Sequence, residues 1–169
     1  MAATYRQRLR LEGAVLAATG AAGSAALLVA TEEAARRPLN TAGQLVVVGG
    51  LLGWLGPRSA RRAIKGAQPL RPGMEGAGEP TPLWQLPLIV AGLSAAVALP
   101  RFTDLPGSVA AGYDAALRVT AGCMLVGLAQ AVLLERAVAR DEARRGRRYV
   151  RIPGSRLLRG TRLGFTEQG

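Results

Sequence analysis

A chain of 169 residues with no histidine and one cysteine cannot build a cysteine–histidine metal site, an intramolecular disulfide or a histidine-dependent triad. Its 22 basic residues, all arginine except Lys65, outweigh 11 acids to give a net charge of +11, which suits an anionic membrane surface or nucleic acid. The length predicts one domain, and the placement of charge then decides the class: four nearly uncharged windows alternate with segments crowded with arginine. A soluble amphipathic helix would instead scatter polar residues through each window every three or four positions.

Met1 to Glu12 is short, polar and basic, with Arg6, Arg8 and Arg10. The first uncharged window follows over 13–31, rich in Ala and Gly. At about 1.5 Å per residue it reaches roughly 28 Å, close to the ~30 Å hydrocarbon thickness of a bilayer. A secretory signal peptide is the rival for this stretch, because Ser24-Ala25-Ala26 offers a small-x-small cleavage site. The apolar run continues past that site through Ala30, which favours a retained span. A short loop with Glu32, Glu33, Arg36 and Arg37 leads to Pro38, suited to opening a helix. The second window, 39–56, carries LVVVGGLLGWLG and closes at Gly56-Pro57.

The connection 57–82 holds Arg58, Arg61, Arg62, Lys65 and Arg71 and then a Gly- and Pro-rich loop. Thr81-Pro82 is the expected cap of a third helix over 83–100, with Pro87 near its start. Trp54 and Trp84 fall at the same membrane face, as interfacial aromatics do. After a tight turn at Arg101 to Pro106, the fourth window spans 108–134, and ERAVARDEARRGRR keeps helix-forming composition as far as Arg145. Tyr149 to Gly169, with Pro153 and four glycines, is expected to be a poorly ordered basic tail.

The expected fold is therefore all-α: an integral membrane bundle of four transmembrane helices over 1–134, followed by an Arg-rich cytoplasmic helix extension and tail over 135–169. Four crossings put three arginines of the amino terminus, five basic residues of the central loop and ten arginines of the tail on one side. The other side holds only Arg36, Arg37 and Arg101. Because basic residues are retained in the cytoplasm, both termini are expected there, at the plasma (inner) membrane. Three crossings would spoil that bias.

Asp114 and Arg118, spaced i, i+4, are the charges inside the fourth window. An intramembrane pair suggests a proton or ion relay, but Arg118 sits only about 5 Å inside the boundary and can snorkel, so anchoring is the expected role. Gly49 and Gly53 form a GxxxG pair; Gly13, Ala17, Ala21 and Ala25 make a second small-residue stripe, and Cys123, Gly127 and Ala131 a third. These predict close helix contacts, within one chain or in a homo-oligomer. Arg144, Arg145, Arg147, Arg148 and Arg151 are the expected contacts with anionic lipid headgroups of the inner leaflet. Interleaved aromatics are sparse around them, which makes nucleic acid an unlikely partner.

No phosphate-cradling Gly-Lys-Ser/Thr loop is present and no cofactor or metal is expected. The sequence thus predicts a small non-catalytic membrane protein, an accessory or scaffold subunit with a membrane-protein partner. The alternatives are an oligomeric transporter or holin-like pore and, below it, a soluble basic helical protein that binds nucleic acid. A proton-coupled carrier would want a carboxylate deep in a span, and none is there.

Overall fold

The computed structural model describes residues 4–30, 51, 54, 58, 61–70, 82–99, 108–151 and 163–167, and the fold they form is mostly helical. Helix α1 runs over Tyr5–Ala30, eight residues earlier than the apolar window alone implied. The cause is a capping box. The Gln7 amide donates to Thr4 Oγ1 at 3.4 Å while the Thr4 amide donates to Gln7 Oε1 at 3.2 Å, so Thr-x-x-Gln satisfies two orphan donors and starts the helix inside the basic segment.

Helix α2 covers Gln85–Ala98. It begins later than the Thr81-Pro82 cap would place it, because Pro82 and Leu83 supply turn carbonyls to the amides of Gln85 and Leu86. That start leaves Pro87 in the first turn, where its missing N–H breaks no helical bond. Helix α3 covers Ser108–Ala129, passes through a π-helical turn at Gln130–Leu134, and continues as α4 over Glu135–Arg145. Gly146, at φ 62°, then ends the rod in the left-handed conformation, its amide donating to the Glu142 carbonyl at 2.9 Å. The end at Arg145 is where composition put it.

Tyr5–Val29 and Ala111–Arg145 are both long and apolar enough to cross a membrane. Only 11% of the apolar window of the first and 22% of the second is buried, which is not how the core helices of a soluble protein are covered. The second window, 39–56, lies outside the described residues apart from Leu51 and Trp54, both helical.

α1 and α3 pack antiparallel along a seam of small residues. A Cβ built at Gly13 would lie 2.6 Å from the Gly127 carbonyl and 2.7 Å from the Ala131 amide. One built at Gly20 would lie 2.5 Å from both the Met124 amide and the Thr120 carbonyl. Further along, the hydroxyls of Ser24 and Thr120 bond each other at 2.9 Å. The facing residues are Gly13, Ala17, Gly20 and Ser24 on one helix and Ala131, Gly127, Met124 and Thr120 on the other. Both sets are spaced four-three-four. This corrects the four-four-four stripe expected on α1: Ala21 and Ala25 are exposed, because a long helix pair stays in contact at a period of 3.5, not 4. Cys123 is half-buried, and Met124 takes its expected place in the seam.

A π turn follows directly on that seam. Its backbone closes an i to i−5 bond from the Glu135 amide to the Gln130 carbonyl, so one extra residue is spent in the turn. Beyond the turn Glu135 and Val138 are buried, and Leu134 packs partly buried against the core that includes Leu9 of α1.

The largest departure from expectation lies in the carboxy-terminal segment. Arg147–Arg151 forms strand β2 and Leu163–Glu167 forms β3, where an unstructured tail was expected. With β1, the two residues Gln68–Pro69, they make a three-stranded sheet in the order β1-β3-β2: β3 runs parallel to β1 and antiparallel to β2. The sheet closes on Leu9, Ile64, Val138, Tyr149 and Leu163, all buried, with Tyr5, Ala63, Leu134 and Phe165 packed around them. Three short strands, of which β2 alone carries arginine, hold too few apolar residues to stand alone. Burying Tyr149 and Leu163 against α1 and α4 is what orders them.

Candidate functional site

This cap, at the end of the helix pair where α1 begins, gathers the first turns of α1, the connection at 63–70, α4 and both carboxy-terminal strands. Its charges are sorted. Glu135, its side chain 6% exposed, receives Arg6 at 2.7 Å and Arg10 at 2.8 Å, both from α1. The same Arg6 reaches Glu142 at 3.6 Å, and Arg8 holds Glu12 at 2.6 Å. Gln130, in the π turn, donates to Glu12 at 3.4 Å. Glu135, the first residue past the π turn, thus meets two arginines of α1. Two buried-side contacts to one acid offset its desolvation, and the exposed outer parts of Arg6 and Arg10 keep the cost of the cations low.

Tyr149 fixes β2 to α4. Its amide donates to Glu142 Oε1 at 3.0 Å and its hydroxyl to Asp141 Oδ2 at 2.6 Å. Burial, reinforced by the bond to Asp141, pushes the phenol up to about 12 from its usual 10. The unfolded chain loses this proton near 10 while the folded chain holds it to about 12. The stabilisation is thus complete below pH ~10 and is lost as the pH rises through ~12. Alkaline titration followed by phenolate absorbance should show a late ionisation step, and Tyr149→Phe should remove it. An unchanged late step in the variant would mean that another tyrosine carries it.

The residues singled out in the sequence separate into distinct groups. Arg145 pairs with Asp141 at 3.3 Å, and Arg147 pairs with Glu167 at 3.4 Å while lying 4.2 Å over the Phe165 ring. Both are committed within the cap. Arg144 and Arg148 are exposed, and Arg151 is the ladder partner of Leu163. Gly127 sits in the α1–α3 seam, whereas Gly49 and Gly53 lie outside the described residues. Asp114 and Arg118 do meet, as an ion pair on α3 with both side chains partly exposed. Arg58 lies 3.8 Å over the exposed Trp54 ring.

All six acids among the described residues are thus engaged with arginine. Among those same residues no group of three potential metal ligands occurs. Arg136, Arg140, Arg144 and Arg148 are exposed and pair with no carboxylate among the described residues. The arrangement turns Glu135, Asp141 and Glu142 inward and presents Arg136, Arg140, Arg144 and Arg148 outward, which equips that face to bind an anion. Sequence reasoning passed over Glu135 and Tyr149, and counted Arg136 and Arg140 only among the ten arginines of the basic tail. The capping box Thr4–Gln7 was legible and would have extended α1 to Arg6 and Arg10, but the approach of Glu135 to them leaves no compositional mark. No known protein family, characterised protein or solved structure matches the chain.

Proposed function

We propose that the chain is a small non-catalytic integral membrane protein of the plasma (inner) membrane, crossing it four times with both termini in the cytoplasm, and that it serves as an accessory or scaffold subunit. The observation that carries this is the shared core of Leu9, Ile64, Val138, Tyr149 and Leu163. Residues that meet in one cap must lie on one side of a bilayer. An even number of crossings therefore separates Leu9 from Ile64, and another even number separates Ile64 from Val138. The windows at 13–31 and 39–56 supply the first pair, and those at 83–100 and 108–134 the second. The cap also gathers segments rich in arginine, and the exposed Leu28, Leu51, Leu88, Ile89, Leu93 and Leu128 suit hydrocarbon better than water.

Topology reporters test this. A reporter active only outside the cytoplasm should stay silent when fused after Gly169 and become active when inserted beside Arg36-Arg37. Activity after Gly169, or recovery of the intact chain without detergent, would end the reading. The scaffold role is tested by purification from native membranes: a partner should co-purify, and recovery of the chain without one would count against the role. Liposomes carrying the protein should stay tight to ions and dye; leakage would favour an oligomeric pore.

A further inference from the structure

Along the α3–α4 rod, the outward face carries exposed Leu128, Val132 and Leu133, and beyond the π turn exposed Arg136, Arg140 and Arg144. The apolar column passes directly into a basic one. The three arginines repeat at i, i+4, i+8, so neighbours stand about 5–6 Å apart at Cβ and repel one another. Among the described residues no carboxylate relieves them, because Glu135, Asp141 and Glu142 on the same helix are turned to Arg6, Arg10 and Arg145. An anion from outside the chain is what completes the face.

Depth identifies the source. At 1.5 Å per residue, Arg136 and Arg140 stand roughly 3 and 9 Å beyond Leu134, and Arg144 roughly 15 Å. The polar zone of one leaflet is about 5–8 Å deep. Arg136 thus stands within that zone and Arg140 at its outer edge, from which its long side chain reaches back to the phosphates of the same lipids whose acyl chains lie on Leu128, Val132 and Leu133, whereas Arg144 stands clear of them. A nucleic acid would have to enter the headgroup layer to use this pair.

We propose, resting on the membrane reading above, that Arg136 and Arg140 form a site for a lipid whose headgroup carries two phosphates, one on each guanidinium. A planar guanidinium can bind a phosphate through two parallel bonds, and tethering the two phosphates in one headgroup makes the second contact intramolecular. Arg145 and Arg147, drawn into the cap, take no part.

The test is native mass spectrometry of the full chain in detergent, titrated with diphosphatidylglycerol or with phosphatidylglycerol. Wild type should bind the diphosphate lipid more tightly by on the order of tenfold. Arg136→Gln with Arg140→Gln should abolish that preference while Arg148→Gln keeps it. Thermal unfolding in lipid-free detergent should match wild type for both variants, which separates loss of the site from loss of the fold. Equal affinity for the two lipids in wild type, or a preference that survives in the double variant, overturns the proposal. So does inorganic diphosphate displacing the lipid at comparable concentration, which would assign the face to a soluble anion. An oligonucleotide whose binding the double variant abolishes, with the lipid preference intact, would assign it to nucleic acid. Failure of the membrane reading is recognised separately, by wild-type chain that stays soluble without detergent.

Discussion

Gly127→Ala should lower the unfolding temperature of the protein in detergent sharply, and Gly127→Leu should separate α1 from α3. A Cβ at this position would lie 2.6 Å from the Gly13 carbonyl oxygen and closer still to the Ala17 amide nitrogen. Both are backbone atoms of the facing helix, so no rotamer change relieves the clash and the whole helix must move outward. Overpacking of a tight interior typically costs about 1–3 kcal/mol, and a forced separation of two backbones belongs at the upper end or above it. The spread of such a movement is wide, because Gly13, Ala17, Gly20 and Ser24 share one seam. The Ser24–Thr120 hydrogen bond, worth about 0.6–2 kcal/mol in a membrane setting, would lengthen with it. Gly92 and Gly122 provide the comparison, since a Cβ at either meets nothing within 4 Å. Alanine there should be neutral or stabilising by up to about 1 kcal/mol, from helix propensity alone. If Gly127→Ala melts with wild type, or no lower than Gly92→Ala, α1 and α3 are not packed along this seam.

How far the fold was legible follows from the length scale of each signal. Apolar windows of 17 residues or more announce themselves by composition, and α1 and α3 fall on two of those windows, although α1 starts eight residues early. The end of α4 was legible because Gly146 follows a run of helix formers. Packing between helices was only half legible: small residues mark the contact, but in a chain with 22 glycines the choice between Ala21 and Gly20 depends on the geometry of the partner. The cap was illegible for a physical reason. Its strands are five residues long and its β1 only two, and their apolar side chains have no core except the one supplied by Leu9, Ile64 and Val138, which are remote in sequence. Arginine-rich composition read as solvation, whereas several of those arginines are structural: Arg6 and Arg10 neutralise a buried acid, and Arg147 covers Phe165.

Two layers of the molecule therefore depend on different interactions. Along the apolar helices, close backbone approach and the Ser24–Thr120 hydroxyl bond hold α1 to α3. In the cap, apolar burial and ion pairs tie the ends of the chain together. The π turn joins the two layers, with Gly127 and Ala131 in the seam and Glu135, just past the turn, paired with α1. Perturbations of the two layers, being well separated, should add.

Leu163→Ala is accordingly expected to unfold the cap and leave the helix pair intact. Leu163 is 1% exposed and lies on β3, the central strand, through which β1 and β2 are joined. Removing its side chain leaves a cavity against Leu9, Val138 and Tyr149 at a cost of about 2–5 kcal/mol. A three-stranded sheet with five core residues has little stability to spare against such a loss. Tyr149→Ala should act in the same way at about 3–5 kcal/mol, deleting both a buried ring and the hydroxyl bond to Asp141. Trypsin reads the result directly, since Arg147 and Arg148 lie on β2, where strand pairing shields the backbone. Both variants should be cut there under conditions in which wild type resists, while helical circular dichroism in detergent falls by no more than the loss of α4 would account for. Gln68→Ala, on an exposed residue of β1, should leave the cleavage pattern unchanged. Equal resistance of Leu163→Ala and wild type would show that the carboxy-terminal strands do not depend on this core, and the common side of Leu9, Ile64 and Val138 would lose its support.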